Sequence, residues 1–101
     1  MNVRQSLISM LKQLLVDMQQ IQQQGAGYYS CAPIARRYNK LLGQARPLFR
    51  AIPGLMDTFD EIDESDPKNP SDKMKVMQGI QIEIGQLISL LASADDGGPA
   101  T

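Results

Sequence analysis

The stretch with the strongest chemical bias runs from Cys31 to Arg50, where Arg36, Arg37, Lys40, Arg46 and Arg50 occur with no acid among them. Cations at that density can neutralise phosphates, which makes a nucleic-acid backbone one candidate ligand, bound with a strong salt dependence. They could instead rest on an anionic membrane surface or meet an acidic protein partner. The plain alternative is a solvated helix face. Residues 55–66 follow with six acids, Asp57, Asp60, Glu61, Asp63, Glu64 and Asp66. If that segment folds back on the basic one, the charges largely cancel. The net charge of −1 and a pI near 5.2 give no whole-molecule attraction to nucleic acid or anionic lipid.

Two other clusters could do chemistry. Cys31 is the sole cysteine, so no intrachain disulfide forms. At the positive start of a helix near Arg36 it could be a nucleophile, although a small buried filler is the ordinary role of such a residue. Tyr28 and Tyr29 beside it either clamp a helix corner or stand out as an anchor for a partner, since Tyr is favoured at binding hot spots. Catalytic supply is otherwise thin. The chain has no His, so the commonest general base and the Ser-His and Cys-His pairings are missing.

The acidic run does not scan as a calcium loop. Counted from Asp57, Phe59 and Ile62 fall where an oxygen ligand and the central glycine are required; counted from Asp63, Met74 takes the place of the closing glutamate. The glycines before Tyr28 lack the lysine of a phosphate loop. Residues 45–65 scan poorly as a helix-turn-helix, because they would set an acidic recognition helix against phosphates. No catalytic, metal-binding or cofactor-binding residue is expected. The candidate partner-binding residues are Tyr28, Tyr29, Arg36, Arg37, Lys40, Arg46 and Arg50.

These residues must be held by helices. Apolar positions recur at three and four throughout, and the one alternating stretch, Gln78–Ile84, is flanked by helical spacing. Val3, Leu7, Met10, Leu14, Met18 and Ile21 make one seam, with Ile8, Leu11 and Leu15 beside it. At 100° per residue these span about 160°, wide enough to touch two neighbours. Ile34, Tyr38, Leu41, Leu42, Ala45, Leu48, Phe49 and Ile52 form a second stripe opposite the cations, and Pro47 falls on its polar side. Ser30 or Ala32 would cap that helix, with Pro33 at its first position. Leu55, Met56, Phe59 and Ile62 keep helical spacing. Asn69, Pro70 and Asp72 announce another helix start. Its stripe is Met74, Met77, Ile80, Ile84, Leu87 and Leu91, from which Ile82 and Leu90 stray.

The expected fold is therefore all-α: an antiparallel bundle with helices over 2–24, 33–51 (kinked near Pro47), a short 54–64 and 70–93. It forms one domain over 1–93 with a disordered tail over 94–101. The apolar stripes of the first and last helices exceed what a small chain needs to cover, which points to a homodimer through helix 2–24, helix 70–93 or both. With no signal-peptide segment and no run near membrane-spanning length, the expectation is a soluble, cytoplasmic protein without a membrane partner. The functional expectation is a non-enzymatic interaction or regulatory module that self-associates, with an acidic protein as a further partner. A nucleic-acid-binding protein using the basic face is the alternative.

Overall fold

Three apolar stripes become three packed helices. The computed structural model describes residues 2–25, 29–52 and 54–96, the last three by backbone alone. Helix α1 is Val3–Gln22, α2 is Ala32–Ala45 and α3 is Pro70–Asp96, and the described residues contain no strand. Asn2 starts α1, its side-chain oxygen accepting from the Gln5 N–H at 3.2 Å. Gly25, at φ 93°, takes the left-handed conformation that follows a helix end. Helix α3 begins as its sequence implies. Asn69 accepts from the Ser71 N–H through its side chain at 2.7 Å and from the Lys73 N–H through its carbonyl at 3.1 Å. Pro70 opens the helix and Asp72 lies in the first turn. The helix continues to Asp96, three residues into the segment expected to fray; the rest of that segment is outside the described residues.

The core is drawn from all three helices. Leu7, Leu11 and Met18 meet Tyr38 and Leu42 from α2 and Met77, Ile80, Ile84, Leu87 and Leu91 from α3, all essentially without exposure. Each aliphatic side chain so buried contributes about 1.5–3 kcal/mol relative to exposure. Not every stripe residue is covered. Val3 and Met10 on α1 and Met74 on α3 remain 52%, 41% and 51% exposed, so α1 turns the Leu11 side of its wide stripe inward. Gln81 of α3 donates to Gln22 at the end of α1 at 3.3 Å, while Arg4, in the first turn of α1, shares a hollow with Leu90 and Ser93 near the end of α3.

The middle of the chain departs from expectation in three places. Helix α2 stops at Ala45, and residues 46–49 tighten into a 3₁₀ turn, Arg46–Phe49, in place of a helix continuing to 51. Pro47 has no N–H to continue the α ladder, and a 3₁₀ turn accommodates it at its start. Phase is kept across the proline, since Phe49 is buried, but Ile52 is 56% exposed and the stripe ends there. Next, the helix expected over 54–64 is a single 3₁₀ turn, Leu55–Thr58, entered from Gly54 at φ 87°. From Phe59 the chain runs extended and irregular to Asn69. A helix there would stack Asp57 on Asp60 and Glu61, and Asp60 on Asp63 and Glu64, like-charge pairs that destabilise a helix. Finally, neither Ser30 nor Ala32 caps α2. Its cap position is Cys31, which offers no side-chain bond.

Candidate docking surface

The acidic segment folds back on α2, and it does so through particular atoms. Residues 59–67 form a strap along one flank of α2, with Phe59 buried and Ile62 half-buried beneath it. Asn39 acts as a short ladder rung for the strap. Its side chain accepts from the Ile62 N–H at 2.8 Å and donates to the Ile62 carbonyl at 2.7 Å and to Glu64 at 3.0 Å. Arg46 donates to the carbonyls of Met56 at 3.3 Å and Phe59 at 3.2 Å; the first also accepts the turn bond from the Phe59 N–H, and the second lies in the irregular strap. Asp66 supplies the cap that α2 lacks locally: its carboxylate accepts from the Cys31 and Ala32 N–H groups, the latter at 3.1 Å. A carboxylate there also meets the positive end of the helix dipole.

These contacts sort the candidate residues. Arg36 pairs with Glu64 at 3.4 Å, both side chains being about half exposed (55% and 43%), which makes it a solvated ion pair of small energetic weight. The Asn39 hydrogen bond, together with Arg36 and the Lys40 charge, holds the Glu64 carboxyl below its ordinary range. Arg46 is internal and structural. Arg37, Lys40 and Arg50 are exposed, and none has an ion pair among the described residues. Tyr29 is buried, and its carbonyl accepts from Lys73 at 2.8 Å, so it holds the corner where α2 and α3 begin. Tyr28 lies outside the described residues. Cys31 is fully buried, its thiol directed at the Lys73 carbonyl at 3.7 Å. Burial, then the nearby Asp66 charge, pushes that thiol up, with Lys73 opposing; the thiolate form is disfavoured.

On the other flank of α2 the surface is open. A groove of about 460 Å³ runs between α1 and α2, floored by Leu14, Ile21 and Ile34 and crossed at one rim by Arg37, with Asp17 facing it. A second hollow, lined by Met10, Gln13, Leu14, Asp17 and Arg37, extends it along α1. A third, lined by Pro33, Arg36, Arg37 and Lys40, extends it over the basic face. Arg37 is common to all three. The basic face and an apolar groove are thus one surface, a juxtaposition that depends on how α1 lies against α2. Asn39 and Asp66 carry no sequence signal as strap partners, since each acts across more than twenty residues.

Among the described residues no three His, Cys, Asp or Glu side chains gather where they could share a metal ion, and no described helix is long and apolar enough to cross a membrane. Searched against protein-family models, curated proteins and solved structures, the chain matches none.

Proposed function

We propose that this chain is a small, non-enzymatic helical interaction module that self-associates through the outer face shared by α1 and α3. The observation that carries the reading is the exposure of Ile82 (64%), Met74 (51%) and Val16 (44%) on helices whose packing needs are otherwise met. By helical phase these residues fall on the side of the α1–α3 pair away from α2. Past Met77 that side of α3 is poor in charge, with Lys75 one heptad before Ile82 and Lys12 one turn before Val16 at its edges. Between Val76 and Ser93 the only charged residue is Glu83, whose charge acts on Tyr38 toward α2. Depletion of charge around exposed apolar side chains is the compositional mark of an interface centre. An uncharged centre around Ile82 also suits a symmetric dimer, where each residue meets the same surface on its partner.

Size is adequate. The molecule measures 49 × 24 × 17 Å, so its broad side exceeds the ~800 Å² per partner of a standard interface. Gly79 and Gly85 are not needed for packing within the chain, since a Cβ at either would meet nothing within 4 Å inside it. Gln22 at the end of α1 beside Gln81, and Arg4 at its start beside Leu90 and Ser93, support α1 and α3 running antiparallel within each copy. A buried, unpaired thiol is compatible with a cytoplasmic setting. The nucleic-acid alternative is weakened because Arg36 and Arg46 are engaged by the chain's own strap.

Size-exclusion chromatography with light scattering tests this. At high micromolar concentration the expected mass is twice the 11.2 kDa of one chain. Ile82→Glu is expected to return the monomer with its helical spectrum intact. A wild-type chain that stays monomeric, or an Ile82→Glu chain that stays dimeric, overturns the proposal.

A further inference from the structure

The groove between α1 and α2 is a different face from the one assigned to self-association, and its chemistry is different. We infer that it docks an acidic amphipathic helix from a partner protein. Its floor is apolar (Leu14, Ile21, Ile34), and Met10 at 41% exposure and Val3 at 52% continue the same edge of α1. Val3, Met10 and Ile21 fall within about 20° of one another around that helix, so they form a straight ridge about 27 Å long, some five turns of a docked helix. A helix seats in such a groove through anchors spaced at three, four and seven positions. Met10 supplies an adaptable wall for them.

Charge decides the partner's character. The α2 rim carries Arg36, Arg37 and Lys40, while the α1 rim carries glutamines and the lone acid Asp17. Arg37 and Lys40, without ion pairs among the described residues, are placed to meet carboxylates flanking the partner's apolar stripe. A second copy offers no such helix. Its concentrated acids lie on the strap, which is extended and bound to its own α2. Nucleic acid suits the site less, because the floor is apolar and Tyr29 and Tyr38 are buried where no base can stack on them.

The test is a display selection. The library holds 18-residue peptides with leucines fixed at helical anchor positions and flanks randomised among Glu, Lys, Gln and Ser, presented to the full chain. Against the wild type, glutamate is expected to enrich over lysine in the flanks. Against Arg37→Glu with Lys40→Glu the preference is expected to reverse. The best acidic peptide should lose at least about tenfold in affinity on that charge reversal. Met10→Asp should weaken it comparably, and its scrambled counterpart should not bind. Ile82→Glu should leave peptide affinity within about twofold, which separates this site from the self-association face. Circular dichroism of each variant confirms that it is folded. The inference fails if no helix enriches, if the flank preference survives the charge reversal, or if scrambled peptides bind equally. It also fails if the same charge reversal dissolves a wild-type dimer, which would make the occupant a second copy, or abolishes a mobility shift with DNA or RNA.

Discussion

Replacing Asp66 by Ala should destabilise the protein far more than its exposed position implies. The first turn of any helix leaves four N–H groups without partners. In α2 two of these, on Cys31 and Ala32, are served by the Asp66 carboxylate from 35 and 34 residues away, and Cys31 itself offers no capping side chain. Loss of a cap costs about 0.5–2 kcal/mol, and loss of a negative charge at a helix N-terminus about 0.3–1 kcal/mol more. Water can reach the Ala32 N–H, whereas Cys31 is fully buried, so we expect a total of about 1.5 kcal/mol. For a domain of this size that corresponds to a fall in Tm of ~6–12 °C. Urea unfolding followed by far-UV circular dichroism measures it. Asp66→Asn keeps an acceptor oxygen and should cost roughly half as much. Asp63→Ala is the control, since among the described residues the Asp63 side chain is engaged only by Ser65, two residues along; it should change stability by less than about 0.5 kcal/mol. Equal midpoints for Asp66→Ala and Asp63→Ala would refute the remote cap, and with it the view that the strap locks the start of α2.

Two further outcomes follow from the same geometry. The Tyr38 hydroxyl is buried with no hydrogen-bond partner among the described residues, and burial, then the Glu83 charge, pushes the phenol well above its ordinary value; removing an unsatisfied hydroxyl relieves about 1–3 kcal/mol. Tyr38→Phe should therefore raise the urea midpoint, and a lowered midpoint would show that the hydroxyl is satisfied. Glu64, held below its ordinary range by Asn39 and Arg36, contributes stability that is full above the unfolded carboxyl value of about 4.3 and is lost as pH falls through the lower folded value. Wild-type stability should thus fall more steeply below pH ~4.3 than that of Glu64→Gln, and parallel acid limbs would contradict the assignment.

The all-helical fold was legible in the spacing of Leu, Ile and Met, because burying one face of a helix imposes a period that survives in the sequence. So was the start of α3, announced by a short-range cap, Asn69 on Ser71. The exposed side taken by Pro47, just past the end of α2, was legible for the same reason. What one-dimensional pattern could not reach was set by contacts between distant residues. Phe59 and Ile62 have helical spacing, yet they belong to an extended strap, because Asn39 and Arg46 satisfy its backbone better than a helix crowded with like charges would. The cap of α2 came from Asp66 for a similar reason. A carboxylate follows the field at a helix end whatever its position in the chain. The five cations between Arg36 and Arg50 were visible at once as a group. Only the packing of α2 between strap and groove divided them into an ion pair, a backbone clasp and an open basic rim, since a charge acts on whatever lies within a few ångströms and sequence distance does not specify that.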